Sequence, residues 1–149
     1  MRWLSSSGVF QAPISRHDGG TTTVKDWLLG ARYAIGPFTV SGGHWHGSAP
    51  WNGKDSWAGG TYTTGPHTFL AQVQKLAQAN PAGAERKATV YGLAYTYALS
   101  KRSTLYATWG RSSNNATSSI ALLAADVSIA PSVAGADPKA TGIGIRHSF

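Results

Sequence analysis

The 149-residue sequence has no cysteine, one methionine and few charges, with Asp, Glu, Lys and Arg together making up 13% of it. Without cysteine there is no disulfide framework, no thiolate metal site and no cysteine nucleophile. The charged fraction is about half of the roughly 25% usual in globular chains, which excludes a charge-laced soluble helical protein. No apolar run approaches the roughly 18 residues that a membrane helix needs. A secretory leader is missing too: Met1-Arg2-Trp3-Leu4 runs into three serines rather than an apolar core, so the chain is expected either to stay inside the cell or to begin upstream of Met1.

What is present is glycine, 18 residues, together with six Trp and six Tyr, a composition that a disordered chain would not have. The formal charge is +7, yet the basic residues are scattered singly from Arg2 to Arg146, with only Arg86-Lys87 and Lys101-Arg102 adjacent. No stripe emerges that would track a phosphate backbone, and no nucleic-acid partner is expected. The six acids (Asp18, Asp26, Asp55, Glu85, Asp126 and Asp137) lie in or beside Gly-, Pro-, Ser-, Thr- or Asn-rich stretches that read as loops.

Two-residue periodicity is the main structural signal. Trp27, Leu29, Ala31 and Tyr33 alternate with Leu28, Gly30, Arg32 and Ala34; Tyr91, Leu93, Tyr95 and Tyr97 alternate with Gly92, Ala94 and Thr96. Leu105, Ala107 and Trp109 alternate with Thr104, Tyr106 and Thr108, and Ile143, Ile145, His147 and Phe149 with Gly142, Gly144, Arg146 and Ser148. Phe38 to His46 gives a further run, and Trp57 to Thr63 and His67 to Gln74 give two weaker ones. Tight turns at Ile35-Gly36-Pro37, Thr64-Gly65-Pro66 and Leu99 to Arg102 alternate with long links at Gly47 to Ser56, Lys75 to Lys87 and Ser112 to Pro138. Strict alternation of short and long links predicts an all-β, antiparallel up-and-down sheet of the kind found in transmembrane barrels, with about ten residues per strand. Two segments also fit a helix: Leu70, Val73, Leu76 and Ala77, and Ile120, Leu123, Ala124 and Val127. Leu70 is in addition an apolar residue on what should be the polar face.

On this topology Tyr33, Phe38, Tyr62, Phe69, Tyr97 and Phe149 fall near the short-turn ends, and Trp27, Trp45, Trp57 and Trp109 near the long-loop ends. Two aromatic bands read as interfacial girdles, with the aliphatic residues between them facing membrane lipid. The competing reading is a soluble β-sandwich or a secreted carbohydrate-binding module that displays its tryptophans. Against it, the second face carries Gly, Thr, Ser and Gln where a sandwich would place charges, which suits a water-filled lumen. Trp45 and Phe38 have opposite parity unless a bulge intervenes near Gly42-Gly43.

Chemistry-bearing constellations are sparse. His44-Trp45-His46 has a spacing that can serve zinc, but no third ligand is evident nearby, and no metal or cofactor is expected. No Gly-x-Ser-x-Gly elbow supports a hydrolase, so no catalytic residue is assigned and the protein is not expected to be an enzyme. Arg32 and Arg146 are the basic residues best placed on the lumenal face; with no acid expected there, they would bias a pore toward anions.

The ending Gly142-Ile143-Gly144-Ile145-Arg146-His147-Ser148-Phe149 resembles the closing strand of Gram-negative trimeric porins of the β-proteobacterial type. Tyr91 to Ala107 is similar to that family's penultimate hairpin, and Leu29-Gly30-Ala31-Arg32-Tyr33 with Gly36-Pro37 to an earlier one. The resemblance implies a 16-stranded barrel that assembles as a homotrimer and passes small hydrophilic solutes and ions across the outer membrane by passive diffusion. It further implies that Ile143, Ile145, His147 and Phe149 form a signal read by the barrel-assembly machinery. The pore lining expected here is Arg32, Thr96, Thr104, Tyr106, Thr108 and Arg146, and the girdle Trp27, Tyr33, Tyr97 and Trp109. The chain is about half the family's length, so residues 1–149 are expected to be the C-terminal portion of the barrel, seven strands with Arg2 to Gln11 as the remnant of an eighth. A truncated, non-functional fragment is the remaining alternative.

Overall fold

The computed structural model describes residues 6–17, 23–48, 52–79, 83–124 and 127–149. Eight strands form one antiparallel meander: β1 (Ser6–His17), β2 (Thr23–Ile35), β3 (Phe38–Gly47), β4 (Gly53–Thr64), β5 (His67–Ala79), β6 (Glu85–Ala98), β7 (Ser103–Asn114) and, after a long connection, β10 (Lys139–His147). That connection contains a small hairpin, β8 (Leu122–Ala124) and β9 (Val127–Ile129). Each strand pairs with its sequence neighbour, and β7 pairs with β10, leaving β1 and β10 as the two edges.

The short turns follow from local chemistry. Ile35 pairs with Phe38 and Thr64 with His67, so Gly-Pro fills both two-residue loops. Gly36 and Gly65 have φ of 55° and 54°, which suits the first central position of a II′ turn, and the proline ring presets the second. The third turn is longer and is closed by Ser100 Oγ, which accepts from the N–H groups of Arg102 and Ser103 at 3.2 and 3.0 Å.

The strands run further than the alternating patterns suggested. β4 begins at Gly53, β5 continues through Lys75 to Ala79, and β6 begins at Glu85, so residues expected in long links belong to the sheet. Asp26, Asp55 and Glu85 therefore lie in strands, not loops; Asp18 and Asp126 fall outside the described residues. Leu70 and its neighbours are extended: a 13-residue ladder with β6 outweighs the local helical spacing. The other candidate helix is instead the β8–β9 hairpin. The eighth strand extends to His17, with a register shift between Gln11 and Ile14 where Pro13 has no N–H to give to the ladder; Met1 to Ser5 lie outside the described residues.

The β2–β3 and β3–β4 ladders are continuous through Gly42 and Gly43, so no bulge corrects the parity of Trp45. Trp45 and Trp57 consequently lie on the face opposite Phe38, not in an aromatic girdle. Glycine makes room for them: a Cβ on Gly43 would collide with the Trp57 ring and stand 2.8 Å from the Leu29 carbonyl, and one on Gly47 would meet the Trp45 ring at 2.5 Å.

Candidate functional site: a sheet with one apolar and one polar face

Tracing the ladders assigns every described residue of the eight-stranded sheet from Asp26 onward to a face. One face carries Trp27, Leu29, Tyr33, Val40, Tyr62, Phe69, Tyr91, Leu93, Leu105, Trp109, Ile143 and Ile145. All are at least a third exposed, with Ile143 at 84%. Among the described residues the buried hydrophobic side chains are Ala88 and Leu122 alone, so the sheet has no second layer and no conventional core. A water-soluble sheet would have to cover such a face.

Near the short turns the rings on this face touch in sequence across four strands. Phe38 and Tyr62 lie 4.7 Å apart between centroids, Tyr62 and Phe69 6.4 Å, and Phe69 and Tyr95 5.0 Å. His67 continues the chain, 5.0 Å from Tyr97 and hydrogen-bonded through Nδ1 to the Tyr95 hydroxyl at 2.8 Å. Toward the loop ends Trp27 sits 5.1 and 5.9 Å from His44 and His46. Ser56 Oγ lies 2.7 Å from His44 Nδ1. From Trp27 to Ile35 is eight residues, about 27 Å along a strand, comparable to the roughly 25 Å apolar band of a membrane barrel.

The opposite face is polar and glycine-rich. Arg32, Thr96, Thr104, Tyr106, Thr108 and Arg146 all lie on it by register. Arg32 borders a depression of about 230 Å³ that Thr39, Ser41, Thr61, Leu70 and Gln72 also line. Tyr106 lies across β10, its hydroxyl 2.5 Å from where a Cβ on Gly144 would stand. Sequence reasoning missed several residues here. Arg86 shares this face, and so do Asp26 and Asp55, which corrects the expectation that no acid would. Asp55 is held by Gln74, whose Nε2 donates to Oδ2 at 2.6 Å. The signal is the two-residue period itself, hidden where the strands extend into polar, loop-like stretches.

Part of the connection after β7 folds back over this face. Leu122, 2% exposed, packs on Gly110, where an added Cβ would meet its methyl groups at 3.3 and 3.4 Å. Leu70 lines the same recess as Leu122 and Val90, which accounts for its apolar character on a polar face. Asn114 anchors the connection: its Nδ2 donates to the carbonyls of Ile120 and Ala136 at 3.2 and 2.8 Å, and its Oδ1 accepts from Ser118 Oγ and the Ile120 N–H. Asp137 clamps the far root, accepting from Arg111 at 2.7 Å, from the Asn114 N–H at 2.8 Å and from Ser113 Oγ at 3.3 Å.

The Arg111 hydrogen bond, with help from the Asn114 N–H, holds the Asp137 carboxyl below the usual aspartate range. A depressed folded pKa contributes stability above the unfolded value and loses it as pH falls through the folded one. The melting temperature of the native protein should therefore exceed that of Asp137→Asn at neutral pH. The gap should close as pH drops below the ordinary aspartate value. A gap unchanged at acid pH would mean that the ionised clamp contributes nothing.

At the C-terminus, Ile143, Ile145 and His147 share the apolar face; the His147 ring meets that of Phe149 edge-on at 4.9 Å, and its Nδ1 lies 2.9 Å from Ser103 Oγ. Ser148 N–H donates to the Arg102 carbonyl at 2.9 Å, extending the ladder beyond His147.

The family profile described as Gram-negative porin matches residues 7–117. No curated protein matches the sequence significantly. Among solved structures, OmpT (in-vitro folded), an outer membrane protein of Vibrio cholerae, is similar with a TM-score of 0.62 at 18% identity, over 97% of this chain and 50% of that one. An anion-selective porin from Comamonas acidovorans is similar with a TM-score of 0.50 at 19% identity, over 84% and 49% respectively. The chain thus spans about half the length of each.

Proposed function

Because the chain belongs to the Gram-negative porin family, whose place is the outer membrane, we propose that its sheet is part of the wall of a water-filled channel for passive diffusion of small hydrophilic solutes and ions. The observation that carries this is the division of one antiparallel meander into an exposed apolar face edged by aromatic rings and a polar, glycine-rich face. The apolar face meets lipid and the polar face meets water. Edges β1 and β10 pair with further strands to complete the barrel, and the complete barrel assembles as a homotrimer. Phe149, with Ile143, Ile145 and His147, is read by the barrel-assembly machinery. Trp27, Tyr33, Tyr97 and Trp109 anchor the wall at the interfaces.

Selectivity is a balance of fixed charges. Among the described residues from Asp26 onward, Arg32, Arg86 and Arg146 share the polar face with Asp26 and Asp55, an excess of cation that supports a modest preference for anions. The solved neighbour from Comamonas acidovorans is itself named an anion-selective porin. Replacing Arg32 and Arg146 by Ala together removes two of the cations on this face. The reversal potential of the assembled pore in a salt gradient is expected to move toward cation preference. An unchanged potential would mean that other parts of the wall set selectivity.

A further inference from the structure

We propose, resting on the pore reading above, that the polar face carries a binding site for neutral oligosaccharides. Trp45 and Trp57 stack on successive sugar rings, and the depression beside Arg32 receives sugar hydroxyls.

Trp45 pairs with Asp55 and Trp57 with Gly43, so the two tryptophans are diagonal neighbours on β3 and β4. Both rings lie down on the sheet. Cζ2 and Cη2 of Trp57 fill the space of the missing Gly43 side chain, and Cζ2 comes within 3.9 Å of where a Cβ on Gly30 would stand, so the indole spans β3 toward β2. The Trp45 ring runs instead along its own strand, over Gly47, where Asp26 Oδ1 also approaches. Gly43 and Gly47 are four residues apart, which sets the two platforms about 13 Å from each other along the strand, a span that a short oligosaccharide covers.

The fold makes no further use of either ring. Among the described residues no aromatic side chain stacks on Trp45 or Trp57 and no acceptor meets their indole N–H groups, which are not buried. The inward-folded Leu122 lies elsewhere, in a recess with Leu70, Val90 and Gly110 on β5 to β7. An indole held down on glycine with its upper face uncovered presents an apolar, electron-rich plate to the lumen. The C–H face of a pyranose ring is complementary to such a plate.

The polar groups around the plates mix donors with acceptors, as a polyol requires. Gln74 pairs with Trp57, and its amide is oriented by Asp55, whose Oδ2 accepts from Nε2 at 2.6 Å. One row toward the short turns, the depression of about 230 Å³ offers the Arg32 guanidinium, the hydroxyls of Thr39, Ser41 and Thr61 and the amide of Gln72. An aromatic wall with a few placed polar groups is the usual composition of a small-molecule site. Asp26 and Asp55 beside the rings disfavour an anionic sugar, and Arg32 disfavours a cationic one.

The test is single-channel recording from the assembled pore in planar bilayers, with maltotriose, sorbitol or choline added on the long-loop side. Maltotriose is expected to interrupt the current of the native pore in discrete, concentration-dependent blocks; sorbitol, a polyol without a ring face, and choline, a cation, are expected not to. The Trp45→Ala/Trp57→Ala double variant should need roughly tenfold more maltotriose for half-block, equivalent to about 1.4 kcal/mol of affinity. The double Trp→Phe variant, which keeps two aromatic faces, should stay closer to the native value. Native pores that conduct but are not blocked by maltotriose, or are blocked equally by sorbitol, would overturn the proposal. So would block by choline alone, or a maltotriose block indifferent to the double alanine variant. Absence of any conductance from the native assembled protein would instead overturn the pore reading, and this inference with it.

Discussion

Arginine in place of Ile143 is expected to destabilise the assembled protein by about 2–4 kcal/mol, the cost of a cation on the lipid face near mid-membrane. Ile143 is the central residue of β10, 84% exposed, and paired with Ala107 on the same apolar face. Thr108→Arg supplies the control: Thr108 is one residue along β7 from Ala107, at the same depth but on the polar face. That variant should fold as well as the native protein and change conductance instead. Urea unfolding from detergent-lipid vesicles measures both. Equal losses from the two substitutions would mean that the faces are not differently solvated.

The second large effect is all-or-none. Residues 1–149 refolded alone into planar bilayers are expected to give no reproducible conductance, because β1 and β10 do not pair with each other. Each unpaired backbone group left in hydrocarbon costs several kcal/mol, and an open sheet has a column of them on either side. Curling eight strands shut would narrow the lumen to side-chain width. The polar face already carries Trp45, Trp57, Tyr106, Leu70 and the inward-folded Leu122, too much bulk for that space. Discrete channels of uniform size from this chain alone would show that it is a minimal pore in its own right.

Fold class, strand order and face parity were legible in the sequence because a half-exposed strand leaves a period of two and each Gly-Pro marks a turn. Arg32, Thr96, Thr104, Tyr106, Thr108 and Arg146 could be placed on one face for that reason alone. The strand ends were not legible. Lys75 to Ala79 and Glu85 to Lys87 break the apolar alternation because that end of the face carries cations and small residues, so composition there imitates a loop. Trp45 and Trp57 misled in the other direction: the residue type suggested an interfacial anchor, whereas ladder parity and the room made by Gly43 and Gly47 put both rings on the polar face. The path of the connection after β7 depends on Asn114 bonding to Ala136 and Asp137 bonding back to Asn114, partners more than twenty residues distant, a tertiary effect that periodicity does not carry.

The absence of native cysteine makes the central claim, that one face of this sheet meets water and the other lipid, directly measurable. Single cysteines at Tyr106, Ala107, Thr108 and Trp109 in β7, and at Gly142 and Ile143 in β10, can be probed in intact outer membranes with a charged, membrane-impermeant thiol reagent. Positions 106, 108 and 142 are expected to react, and 107, 109 and 143 to remain unmodified. Reaction at 107, 109 and 143 as fast as at their neighbours would contradict a lipid-facing wall and with it the reading of this sheet as part of a pore.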